Sequence, residues 1–216
     1  MTSWQLIAYA LTLLVFFISF DKKHYQLLLI DSSKQHLVFG TSFALTVLWA
    51  FKTGIYPGLD VHFLWLTAAS LFLGPHLALV AGLIALITNK VIDQTITTGW
   101  QHFGIHALCD LVIPIAISYF VYLWAYHKLP RHFAVYTFIC AFFAGALAIG
   151  AKSFSIATLY WLNGDFTWSL LVDNLLIITP LLLFPEALLN GMTMTLAVVY
   201  LPEWVRSFYD EEYLDK

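Results

Sequence analysis

Seven apolar stretches follow one another along 216 residues with short polar links between them, and this succession constrains the fold more than any other feature of the chain. They are residues 4–20, 37–51, 61–73, 76–90, 105–126, 133–151 and 170–201. A helix needs about 20 apolar residues to cross the roughly 30 Å hydrocarbon layer. The pattern therefore predicts an all-α membrane protein with about seven transmembrane helices. Composition agrees. Hydrophobic residues make up 61% of the chain and charged residues 11%, where a soluble domain holds about 45–50% and about 25%. A soluble enzyme and a disordered chain are both excluded on these figures. The formal charge of −3 leaves no basic surface for nucleic acid. Cys109 and Cys140 both lie inside apolar runs, which argues against a disulfide framework. The first stretch has no basic leading region and no small-residue cleavage site after Phe20, so it reads as a retained helix.

Two stretches are irregular. The third is short, and Gly74-Pro75-His76 follows it at once, so a re-entrant segment at 61–73 is the alternative to a full span. Backbone of that kind survives at membrane depth only where protein or water covers it. The last stretch is too long for one straight span, and Pro180 and Pro185 inside it predict a kink or a break. The sixth has an alternative continuation through 156–162. Basic residues on alternate links set the orientation. Lys22, Lys23, Lys34, Lys128, Arg131, Arg206 and Lys216 fall on one side; Lys52, Lys90 and Lys152 fall on the other. The richer side is cytoplasmic. This places the protein in the plasma (inner) membrane with its N-terminus outside and its C-terminus inside. The expected organisation is one polytopic domain, 1–203, and an acidic cytoplasmic tail, 204–216.

Ionisable groups inside a bilayer cost about 2.5–3.5 kcal/mol each at a helix centre, so each one calls for an explanation. Asp60 and His62 follow the Pro57-Gly58 corner. An imidazole there suits Ni, Co, Zn or Cu, with the carboxylate as a second ligand or an orienting group. The structural alternative makes Asp60 a helix cap and His62 an interfacial side chain. His102, His106 and Asp110 recur at i, i+4 and i+8 on one helical face. They suit either a metal or a polar stripe packed on another helix. Glu186 and Asn190 are also i, i+4 on one face; Glu186 suits either pairing with a cation or, in the structural alternative, an interhelical hydrogen bond that holds the bundle. Lys152 is expected to snorkel. No phosphate loop, Gly-x-Ser-x-Gly, Cys-x-x-Cys or His-Glu-x-x-His motif is present, so the chain is not expected to be an enzyme or to hold an organic cofactor.

Several landmarks occur in a familiar order. They are Pro57-Gly58-Leu59-Asp60-Val61-His62, Leu73-Gly74-Pro75, Phe103-Gly104-Ile105-His106, Glu186-Ala187-Leu188-Leu189 and Pro202-Glu203. The set resembles the membrane permease, the M-type substrate-binding subunit, of nickel/cobalt energy-coupling-factor transporters, over residues 35 to 203. The resemblance implies that His62 coordinates the metal cargo, that Glu186 holds a structural or gating position, and that His106 stands where the family carries asparagine near the metal. It also implies cytoplasmic ATPase subunits and a transmembrane coupling subunit as partners, besides lipid. Members of the family begin Met-His, and their terminal amine and that histidine complete the site. This chain reads Met1-Thr2-Ser3-Trp4. Asp60, His102 and His106 are the available replacements, unless the cargo has changed. The leading expectation is a permease for a divalent transition metal (Co, Ni, Zn or Cu). The alternative is a non-transporting accessory or assembly subunit of a larger membrane complex. An intramembrane metalloenzyme ranks below both, since no glutamate base stands beside paired histidines.

Overall fold

A computed structural model describes residues 1–20, 25, 26, 28, 30–92 and 100–208. Lys22, Lys23 and Lys216, used above for orientation, lie outside the described residues. The helices are α1 (Ser3–Ile18), α2 (Ser32–Ala50), α3 (Leu66–Leu73), α4 (Pro75–Ile92), α5 (Trp100–Lys128), α6 (Phe133–Asn163), α7 (Trp168–Leu171) and α8 (Thr179–Tyr200). The all-α membrane expectation holds. Among the described residues, α4, α5, α6 and α8 are long and apolar enough to cross a bilayer, while α1 is apolar but shorter. Helix length by itself therefore does not establish seven crossings.

The differences from the sequence expectation have local causes. The sixth stretch is one helix running without a break to Asn163, where Gly164 ends it in the left-handed conformation (φ +80°). The last stretch breaks at Ile177–Ile178, ahead of Pro180. That proline sits in the first turn of α8, where its missing N–H costs nothing, and Pro185 is carried inside α8. Helix α5 starts with a 3-10 turn at Trp100–His102 and contains a π-helical stretch at Ala107–Val112. Both change the angular step, so the i, i+4, i+8 stripe does not stay on one line. Lys152 does not snorkel: it is 2% exposed, within α6. It therefore belongs to no loop, and the basic residues on the sparser side reduce to Lys52 and Lys90. Residues 205–208 turn back into the bundle and bury Val205 and Phe208. Residues 209–216 lie outside the described residues.

The third stretch is the centre of the architecture. Only Leu66–Leu73 is helical, and all eight residues of α3 are buried. Before it, Thr53 and Val61 exchange both backbone hydrogen bonds and close a loop. The Leu59 N–H donates to the Tyr56 carbonyl across Pro57-Gly58. Proline at the second position and glycine at φ +86° in the third are what a type II turn requires. A bridged loop with its Pro57-Gly58 corner, an irregular segment over 62–65 and a two-turn helix thus fill the space a full-length span would take.

Such backbone must be satisfied by protein. Glu186 Oε2 accepts from Leu64 N at 2.9 Å and Oε1 from Trp65 N at 2.8 Å. Asn190 Oδ1 accepts from Ala68 N at 2.8 Å, and its Nδ2 donates to Glu186 Oε1 at 2.8 Å. Trp49 Nε1 donates to the Leu64 carbonyl. At the other end, Ser207 Oγ donates to Leu71 O, Arg206 N to Phe72 O and Arg206 Nη1 to Leu73 O. A carboxylate therefore sits at the N-terminus of α3 and a guanidinium at its C-terminus, the arrangement the helix dipole favours. Both come from α8 and the segment after it. Trp65, at φ +55°, is the link that aims α3 at Glu186.

Candidate functional site

A cavity of about 340 Å³ opens at the end of the bundle that holds the Pro57-Gly58 corner. Asp60, His62, His106, Asp110, Lys152 and Tyr160 supply much of its polar lining. His62 comes from the irregular segment directly after Val61, which is bridged to Thr53. Its Nδ1 lies 3.1 Å from the Phe63 carbonyl. A carbonyl only accepts, so Nδ1 carries the proton and Nε2 keeps a lone pair. The ring leans on Trp49, with centroids 5.5 Å apart. Pinning one imidazole nitrogen to a carbonyl is the usual way to orient the other toward a metal.

The remaining polar residues are matched with one another. His106 Nδ1 donates to Asp110 Oδ2 at 2.7 Å, which leaves Nε2 to accept from the Tyr160 hydroxyl at 3.1 Å. Both nitrogens of His106 are thus in use. Asp110 Oδ1 faces Lys152 Nζ at 3.5 Å, and both side chains are almost fully buried. Asp60 is at the rim and pairs with Lys52 at 3.7 Å. It does not cap α3, because the loop turns through Trp65 and Glu186 takes the capping role. His102 is not among the lining residues. Its Nε2 meets Asp165 Oδ2 at 3.1 Å and lies beside the Gln5 side-chain amide. Tyr160 stands between the two histidines, edge-on to both rings at 6.0 and 6.2 Å.

The structure thus gathers Asp60, His62, His106 and Asp110 around one space and places His102 outside it, under the start of α1. Glu186 and Asn190 serve the backbone of α3 and do not face the cavity. Among the described residues, no three His, Cys, Asp or Glu side chains converge in a metal-holding group. Sequence reasoning missed Lys152 and Tyr160 as members of the site. Lys152 gave a signal, a cation in the middle of a long apolar run; Tyr160 gave none. The Thr2 cap of α1 reaches the Asn163 side chain, so the start of the chain lies over the same end of the bundle as His102.

The chain matches the family described as the cobalt uptake substrate-specific transmembrane region over residues 1–204. A solved structure described as a truncated transition metal transporter shares its fold, with a TM-score of 0.70 and 16% sequence identity, covering 93% of this chain and 94% of that one. At that identity the likeness is one of fold. Among curated proteins, nothing matches.

Proposed function

We propose, because the chain belongs to the cobalt uptake substrate-specific transmembrane family, that it is the substrate-binding permease of a divalent transition-metal uptake system. The observation that carries this reading is His62. Its Nε2 lone pair faces a cavity at one end of a membrane bundle, and its other nitrogen is pinned by a carbonyl. Asp60 at the rim meets an arriving cation first. His106 and Asp110 form the inner wall. His102 acts at a distance, through Tyr160 and the start of α1. Glu186 and Asn190 hold α3, and so hold the corner that carries His62.

The orientation follows from charge. Lys34, Lys128, Arg131 and Arg206 lie at the end away from the cavity, which is the cytoplasmic end. The cavity then faces outward, and cargo enters from outside. The irregular segment over 62–65 plus α3 acts as the third of seven crossings. No nucleotide-binding motif is present in the chain, so the energy comes from cytoplasmic ATPase subunits through a transmembrane coupling subunit in the plasma membrane.

The test is cobalt accumulation by cells that express the chain, wild type against His62→Ala, at matched membrane levels. Accumulation should fall to the vector background in the variant. Equal accumulation in both would remove His62 from the pathway. Equality of both with the vector would leave the accessory-subunit reading.

A further inference from the structure

We infer that Lys152 is a specificity-determining residue of the cavity: a tethered cation seated against Asp110 that only a divalent cargo displaces. The inference deepens the reading of the chain as a metal permease and rests on it. Three observations support it.

The first is the looseness of the pair. Asp110 Oδ2 is held by His106 Nδ1 at 2.7 Å. Among the described residues Asp110 Oδ1 accepts no hydrogen bond, and Lys152 Nζ stands 3.5 Å from it. A charge-assisted N–H···O bond closes to about 2.7–2.9 Å. One carboxylate oxygen is thus fixed, and the other faces a cation that does not grip it. An oxygen so placed can accept a metal without the carboxylate turning.

The second is placement. Lys152 and Asp110 line the same cavity as His62, and the charges of both act on the His62 ring. Among the described residues, Asp110 is the one ion-pair partner of Lys152, and both side chains are almost fully buried. A buried ion pair stabilises a fold little or no better than apolar residues of the same volume, so the contact of α5 with α6 does not call for one. Asp110 also stands in the π-helical stretch Ala107–Val112. Such departures from α-helical geometry recur at functional sites.

The third is charge. Coulombic attraction scales with the product of the charges. A monovalent cation at Asp110 gains no more than the ammonium already there, and the tether gives that ammonium a high effective concentration. A dication gains about twice the attraction. A transition metal gains the His62 Nε2 lone pair besides, whereas hard Mg²⁺ prefers oxygen donors and water. Lys152 therefore sets a threshold that sodium and potassium do not pass. In the exchange, Asp110 Oδ1 and His62 Nε2 each replace one water on the metal. The ammonium moves aside on its flexible stem, still protonated, and no electron is transferred.

Full-length protein in detergent is dialysed against cobalt(II), in sodium chloride or in N-methyl-D-glucamine chloride of equal ionic strength. Gel-filtration profiles check that each variant remains folded. Wild type should bind cobalt equally in the two salts. Lys152→Gln should bind it about tenfold or more tightly than wild type in the glucamine salt, and sodium should erase most of that gain. Lys152→Gln with Asp110→Asn should show neither the gain nor the sodium effect. Lys152→Arg keeps the ion pair, so it carries the test where the neutral variant does not fold. Its planar fork grips a carboxylate more firmly, and cobalt binding should weaken about tenfold. Binding equal to wild type in the folded Lys152 variants would make the pair structural only and leave the metal permease standing. An equal gain in the variant that lacks Asp110, or a gain that sodium does not erode, would also overturn the threshold. No cobalt retained by folded wild type or by any folded variant would remove the threshold and the metal-permease reading together.

Discussion

Glu186 concentrates the chemistry of this fold in one side chain. It is fully buried, and its two oxygens accept from Leu64 N, Trp65 N and Asn190 Nδ2. Leaving a buried N–H unsatisfied costs about 1–3 kcal/mol. Glu186→Ala strands two of them and should lower the melting temperature in detergent by several degrees. Glu186→Gln keeps one acceptor oxygen and should fall between alanine and wild type. A melting temperature unchanged by the alanine substitution would show that the α3 corner is held by other contacts. Lys152 and Asp110 make the second test at this scale. Removing one partner of a buried ion pair costs about 3–5 kcal/mol, whereas replacing both is far milder. Lys152→Met should therefore destabilise strongly, and Lys152→Met with Asp110→Asn should recover most of the loss. Additive losses in a thermal-unfolding cycle would mean that the 3.5 Å approach carries no coupling.

Helices meet where glycine lets them. A Cβ on Gly104 would come within 2.9 Å of the Tyr9 backbone nitrogen and closer still to its ring. Backbone cannot yield as a flexible side-chain tip does, so Gly104→Ala forces α1 away from α5. Overpacking of this kind costs about 1–3 kcal/mol. A Cβ on Gly40, within α2, would meet nothing within 4 Å. Gly40→Ala should stabilise by about 0.5–1 kcal/mol through helix propensity alone. The two substitutions should shift the unfolding temperature in opposite directions, and a shift in the same direction would locate the α1–α5 contact elsewhere. Docking of α1 matters beyond stability, because Gln5 and the Thr2 cap lie over His102 and Asn163.

The whole molecule has two unlike ends. One carries the cavity, the Pro57-Gly58 corner and the start of α1. The other carries Lys34, Arg206 and the returning 205–208 segment, beside a second cavity of about 490 Å³. Cys109 and Cys140 are buried and unpaired, so an introduced cysteine can be read without removing them. Ile55 is exposed in the corner loop, and Lys128 is exposed at the opposite end. On intact cells, an impermeant maleimide should label Ile55→Cys at once and Lys128→Cys only after permeabilisation. The reverse pattern would invert the protein in the membrane, turn the cavity to the cytoplasm and exclude uptake from outside.

Much of this was legible in one dimension. Apolar runs and scarce charge dictate a helical membrane bundle, because backbone in lipid must be satisfied by helices or a closed barrel and continuous apolar runs, unlike the alternating pattern of barrel strands, suit helices. Pro57-Gly58 marks the corner, since that pair suits the turn, and the i, i+4 spacing of Glu186 and Asn190 puts both on one face, ready for hydrogen bonds to another segment. The partners across the fold were not legible. That Glu186 caps α3, that Lys152 lies against Asp110, that Tyr160 occupies the second nitrogen of His106 and that His102 turns away from His62 all join residues tens of positions apart. Periodicity says which face of a helix a side chain occupies; what stands opposite that face depends on how the helices pack. For that reason the sequence determined that polar groups had to be answered inside an apolar bundle, and only the tertiary structure decided which group answers which, and that His62 keeps a ring nitrogen free of protein partners beside the cavity.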